Sequence, residues 1–132
     1  MYDFIFTMYK NLKGRKGEGL ASAFLKEKNF TIRETNWRAG KHEVDIIAEK
    51  DNFLIFIEVK TRATRQYGDP SEMVSRPQRN RIVMAANRYL EQFGQKDWNL
   101  RFDIISVLES GVCTEMDHIE DAFYPIVNKI KI

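Results

Sequence analysis

The chain has 132 residues, 43% hydrophobic and 30% charged, with a formal net charge of +2. These values describe one ordinary globular domain with enough chain for a real core, and the charge is too small to argue by itself for a nucleic-acid partner. The single cysteine, Cys113, excludes an intrachain disulfide framework and a cysteine-based metal cluster, and points to a reducing compartment, the cytoplasm.

Residues 1–13 read as a leader. Its apolar start is broken by Asp3, Tyr9 and Lys10 well short of a signal or membrane segment, so no membrane partner is expected. The remainder, residues 14–132, reads as a single domain. Leu20, Ala21, Phe24 and Leu25 form one apolar stripe and predict a helix over residues 16–28. Glu18 borders that stripe. Its carboxylate either points toward whatever the stripe packs on or complements the positive helix start. Residues 30–35 alternate as a first strand, and residues 36–40, including Trp37 and Arg38, read as a polar turn.

The runs over residues 43–49 and 53–60 are rich in β-branched and aromatic residues and have strand length. With Asp51-Asn52 as a two-residue loop, Lys50 pairs with Phe53, which puts Asp45 opposite Glu58 and Glu43 opposite Lys60. Alternation then places Glu43, Asp45, Ile47, Phe56, Glu58 and Lys60 on one face, and Val44, Ile46, Ile57 and Val59 on the other. Both faces carry large apolar residues, so the hairpin is expected in the interior of a sheet. Directly opposed carboxylates cost about 0.2–1 kcal/mol even when exposed, and more when desolvated. Three arrangements would compensate: a divalent metal held by both, a proton shared between them, or Lys60 bridging the pair. A solvated hairpin shifted by one residue is the alternative reading.

Residues 62–70 are expected as a loop broken by Gly68 and Pro70. From Lys60 to Tyr89 the basic residues Lys60, Arg62, Arg65, Arg76, Arg79, Arg81 and Arg88 face only Asp69 and Glu72. This segment begins where the carboxylate strand ends. It suits contact with a phosphate backbone, with Tyr67 as a stacking group and Arg38 as a further cation, although a solvated helix face would look similar. Ser75 and Gln78 have capping-box spacing, Pro77 fits the first turn, and Ile82, Ala86, Tyr89 and Phe93 recur on one helical face up to Gly94. Gln78 borders that face and serves as a cap, as a site residue, or as both.

A fourth strand is expected over residues 100–108 and a weaker strand or irregular segment over residues 112–118, followed by a packed segment at residues 121–125. Arg101 and Asp103 fall on one side of their strand as a structural ion pair. His118 reads as a hydrogen-bonded structural histidine rather than a general base, and Trp37 and Trp98 as packing or rim residues.

The ordered set of Gly17-Glu18, Asn36-Trp37-Arg38, Glu43-Val44-Asp45-Ile46-Ile47-Ala48, Phe56-Ile57-Glu58-Val59-Lys60-Thr61-Arg62, Arg101-Phe102-Asp103 and the stretch from His118 to Phe123 resembles the PD-(D/E)XK nuclease superfamily. Within it, the chain resembles the small bacterial YraN-like proteins, related to Holliday-junction resolvases. The resemblance implies an α/β, restriction-endonuclease-like three-layer fold with a central mixed β-sheet flanked by helices. It also implies a structure-selective, Mg²⁺- or Mn²⁺-dependent DNA endonuclease, with Glu18, Asp45, Glu58, Lys60 and Gln78 as the catalytic set. Asp45, Glu58 and the Val59 carbonyl would hold the metal. Arg38, Arg62, Arg65, Tyr67, Arg76 and Arg79 would meet branched or structured DNA. A homodimer is implied as well, because a four-way junction needs two symmetric cuts. Where many YraN-like relatives carry a lysine on the second helix, this chain has Gln78. A nucleic-acid-binding protein with the same fold and no turnover is the alternative function.

Overall fold

The computed structural model describes residues 2–3, 9–10, 17–62, 73–94, 96–110 and 113–124. Along the chain these form β1 (Tyr2–Asp3), β2 (Tyr9–Lys10), α1 (Gly17–Glu27), β3 (Thr31–Ala39), β4 (His42–Lys50), β5 (Phe53–Arg62), α2 (Arg76–Phe93), β6 (Asn99–Ser110) and β7 (Cys113–Ile119). The strands make one sheet in the order β1-β7-β6-β5-β4-β3, with β2 also on β7. Strands β5 and β6 run parallel, which requires a crossover, and α2 supplies it. The described pairs on either side are antiparallel.

Each helix buries one stripe, and the stripes cover opposite faces of the sheet. Leu20, Ala21, Phe24 and Leu25 of α1 pack on Ile46, Ile55, Ile57, Ile105 and Val107. Ile82, Ala85, Ala86 and Tyr89 of α2 pack on Ile47, Leu54, Phe56, Phe102 and Ile104. Central strands covered on both sides should be apolar at successive positions. Leu54, Ile55, Phe56 and Ile57 are all fully buried. The result is the expected α/β three-layer arrangement, a mixed sheet between helices. No described helix is long and apolar enough to cross a membrane.

The hairpin register is the one expected from the loop length: Lys50 pairs with Phe53, Ile47 with Phe56 and Ile46 with Ile57. Asp51 and Asn52 have φ of 52° and 68°. Two successive left-handed residues are the signature of the hairpin turn whose twist matches the strands.

Two local expectations are corrected, and one left open between strand and irregular segment is decided. The turn over residues 36–40 is largely strand, because Trp37 and Arg38 pair with Val44 and Glu43, so β3 runs to Ala39 before Gly40 turns the chain. Val44 does not share the layer of Ile46 and Ile57 but packs in the α2-side cluster with Trp37. The left-handed Asn36, at φ 51°, falls between the pairs Thr35–Ile46 and Trp37–Val44, and the β4–β5 pairing ends at Ile46, so the strict alternation breaks between Val44 and Ile46. The weak segment over residues 112–118 is a regular strand paired with β6 through seven residues, and its Thr114, Met116, His118 and Ile119 are buried. Downstream, Phe123 is buried against Phe102 at 5.3 Å between ring centroids. Within the leader, Tyr2–Asp3 and Tyr9–Lys10 pair with β7.

Candidate active site

Three elements converge on one polar cleft of about 180 Å³. The β3–β4 turn and β4 bring Lys41, Glu43 and Asp45, β5 brings Glu58, and α2 brings Gln78, Arg81 and Ile82. The cleft lies beside the second half of β5, against the first two turns of α2.

The β4–β5 ladder reaches Ile46–Ile57, and the next step is taken over by a side chain. The Val59 backbone N–H donates to Asp45 Oδ2 at 2.8 Å. That bond fixes Asp45 beside Glu58. Burial raises the Asp45 pKa, the Val59 bond opposes the rise, and the negative charges of Glu18 and Glu43 add to it. Burial and the adjacent Asp45 carboxylate push Glu58 up to about 7, against the pull of the Lys60 ammonium. Glu58 therefore carries a proton for part of the time at neutral pH, which relieves the like-charge contact.

Gln78 joins the remaining members. Its Nε2 donates to Glu58 Oε2 at 2.6 Å, while Lys60 Nζ donates to Gln78 Oε1 at 3.0 Å and stands 3.5 Å from Glu58 Oε2. The same residue is held by the helix start, since its backbone N–H donates to Ser75 Oγ at 3.3 Å. The capping-box spacing is thus half used. The hydroxyl caps the helix, and the glutamine side chain is left to bridge the carboxylate and the lysine.

The donor set tests the expected metal. Among the described residues no group of three His, Cys, Asp or Glu side chains is placed to hold a metal ion, and the negative charge of Glu18 acts on Asp45. Two adjoining, partly desolvated carboxylates that repel one another fit a hard cation taking one or two carboxylates and completing its shell with water and phosphate oxygens.

The expected nucleic-acid contacts divide. Arg38 is 70% exposed and stands 3.4 Å from Glu43, and Arg76 is exposed at the start of α2. Arg62 is 9% exposed and bound to Asp117 at 2.9 Å. The Arg79 Nε donates to the Val74 carbonyl at 3.0 Å, with its guanidinium over the Phe123 ring. Both arginines are used in holding the fold. Arg65 and Tyr67 lie outside the described residues.

Sequence reasoning did not single out Lys41 or Arg81 as lining residues. Arg81 follows Gln78 by one helical turn, which is the available signal. Lys41 sits in a turn, and its approach to α2 is set by tertiary packing alone.

The Asp103 cluster is separate. Asp103 is fully buried and accepts two bonds from Arg101 at 2.9 Å each, one from the Asp121 N–H at 2.9 Å, and pairs with His118 Nε2 at 2.8 Å. The His118 ring packs against Phe24 and Phe30 on the α1 side. Trp37 lies edge-on to Tyr89 at 5.3 Å, and Trp98 is flanked by Arg33 and Lys96.

A family model described as uncharacterised protein family UPF0102 matches residues 17–107. A UPF0102 protein of Christiangramia forsetii is 45% identical over 114 residues, covering 86% of this chain and 95% of that protein. Another from Bacteroides thetaiotaomicron is 44% identical over 115 residues, 87% of this chain and 94% of its own. One from Myxococcus xanthus is 40% identical over 110 residues, 83% and 87% of the two chains. The match spans both helices' site residues and the carboxylate hairpin, and with it the chain belongs to the UPF0102 family of YraN-like proteins.

Proposed function

We propose that this protein is a Mg²⁺- or Mn²⁺-dependent DNA endonuclease of the structure-selective, resolvase-like type, acting in the cytoplasm on branched or structured DNA as a homodimer. The observation that carries the reading is the meeting of Asp45, Glu58 and Gln78 in one polar cleft, with Lys60 tied to Gln78 and Glu58, and with both carboxyls raised in pKa by burial and by neighbouring carboxylates. Such perturbed pairs in a cleft mark working sites more often than structural ones.

Asp45, Glu58 and the Val59 carbonyl would hold the ion. When bound, it supplies a water of lowered pKa and a positive charge against the phosphate. The chain's own groups have distinct tasks. Asp45 is held rigid by the Val59 N–H, so its free oxygen keeps one direction. Lys60 has one donor committed to Gln78 at 3.0 Å, and its other N–H groups are available to orient the attacking water or meet developing negative charge on the phosphate. Gln78 is a positioning residue: its amide ties the lysine and Glu58 into one unit. Glu18 deepens the negative field at Asp45 and so strengthens the attraction for a cation. Arg38 and Arg76 are the exposed cations of the expected set for the DNA backbone.

The test is incubation of the purified protein with four-way-junction, single-stranded and linear duplex DNA in Mg²⁺ or Mn²⁺, beside Asp45→Ala and Lys60→Ala. Cleavage that is lost in both variants supports the assignment. Cleavage that survives both substitutions overturns the site. Binding without cleavage on every substrate replaces the enzyme with a nucleic-acid-binding protein of the same fold.

A further inference from the structure

Every acid in the cleft already has a partner. Glu43 has Arg38 at 3.4 Å, Glu58 has Lys60 at 3.5 Å and Gln78 at 2.6 Å, and Asp45 has the Val59 N–H at 2.8 Å. The same cleft is lined by two more cations, Lys41 and Arg81, both exposed and both without a carboxylate partner among the described residues. They differ in this from Arg33, Arg38, Arg62 and Arg101, each of which is paired with an acid. Cations left unpaired beside a cluster of acids are not needed for charge balance of the fold, and their free energy improves when a polyanion enters.

Their placement specifies more than attraction. Lys41 comes from the β3–β4 turn and Arg81 from α2, two different elements that meet at this cleft. The carboxylates and Gln78 line the same space. A cleft of about 180 Å³ is too small for a folded macromolecule, and its size suits a short stretch of sugar-phosphate backbone. One phosphate at the carboxylates then leaves its neighbours along the strand to the two free cations.

Resting on the nuclease reading, we propose that Lys41 and Arg81 are strand-binding residues that hold the phosphates flanking the one at the carboxylates. Both act as backbone contacts, with no base readout. Arg38, whose charge is already shared with Glu43, is secondary to them.

The experiment measures binding of a fluorescent thymidine dodecanucleotide to the full chain by anisotropy, in EDTA, over a range of NaCl concentrations. Lys41→Ala and Arg81→Ala should each reduce the slope of log affinity against log salt by about 0.7, the value per phosphate contact on a single strand. The double variant should lose about twice that, and Lys26→Ala, exposed on α1, should change nothing. With junction DNA in Mg²⁺, the same two variants should raise KM while kcat stays within twofold of wild type. Unchanged slopes overturn the proposal even where the wild-type protein cleaves DNA. Reduced slopes with no cleavage of any substrate keep these two residues as strand contacts and remove the nuclease reading instead. Both side chains are exposed, so loss of the fold does not confuse the result.

Discussion

Glu58 is the residue on which the site's electrostatics turn. Its folded pKa of about 7 lies above the ordinary 4.5, so the folded state holds its proton more tightly than the unfolded chain. The stability this contributes is fully present below 4.5 and is lost as pH rises through about 7. Glu58→Gln, which mimics the protonated form, should therefore gain about 1–3 kcal/mol on wild type between pH 4.5 and pH 8, read from urea midpoints. Added Mg²⁺ should stabilise wild type at pH 8 and leave Glu58→Gln little changed. A wild-type stability that ignores Mg²⁺ would remove Glu58 as a ligand. Gln78→Ala removes the bridge to both Glu58 and Lys60. It should lower kcat about tenfold to a hundredfold with KM nearly unchanged, as expected when a general catalyst is no longer positioned. The nearness of Asp45 and Glu58 was legible in the sequence because a two-residue loop fixes the register as far as Ile46–Ile57, but the ladder ends there, and the expected pairs Asp45–Glu58 and Glu43–Lys60 do not form. The Val59 bond to Asp45 was not, because a ladder's end depends on which side chains can replace its next hydrogen bond. The Asp103–His118 pair was likewise hidden: Arg101 and Asp103 are two positions apart on one strand face, but His118 arrives through the β6–β7 register.

At the scale of elements, two tight spots decide whether the hairpin and α1 present their carboxylates correctly. The turn residue Asn52 has φ 68°, a conformation costing an ordinary L-residue about 1–2 kcal/mol. Asn52→Ala should cost about 1 kcal/mol in urea unfolding, whereas Asn52→Gly should be at least as stable as wild type. A loss with glycine equal to that with alanine would show that the Asn52 Nδ2 bond to the Asp97 carbonyl, at 3.5 Å, matters more than backbone conformation. At the start of α1, a Cβ on Gly17 would collide with Thr61 Oγ1 and touch Val107. Glycine is what lets the helix approach the end of β5 and carry Glu18 toward Asp45. Gly17→Ala should cost about 1–2 kcal/mol through this overpacking, and adding Thr61→Ala should recover most of it. Absence of such coupling in the double-mutant cycle would place the strain elsewhere. The helices themselves were legible from their stripes and from Ser75 and Pro77. The length of β3 was not, since Asn36-Trp37-Arg38 reads as a polar turn until its pairing with β4 is known.

Across the whole molecule, the sheet separates two charged centres that sit almost level along the strands. Asp103 pairs in register with Ile57, the residue before Glu58, yet its network lies on the α1 side with His118, Phe24 and Phe30. There Asp103 ties together β6 through Arg101, β7 through His118 and the following turn through the Asp121 N–H. Burial opposes its ionisation, but bonds from His118 and Arg101 outweigh burial and hold the carboxyl below the usual range. The lowered pKa gives a stability contribution present above the ordinary 3.8 and lost as pH falls through the folded value. Asp103→Asn leaves Arg101 beside a neutral amide in a buried place, and should cost about 3–5 kcal/mol at pH 7. The cost should shrink steadily below pH 4, as wild type loses the same charge. Because the network and the cleft occupy opposite faces, the variant's kcat, measured at a temperature where it remains folded, should match wild type. A fall in kcat at full folding would mean that Asp103 sets the position of β5, and through it Glu58, across the thickness of the sheet.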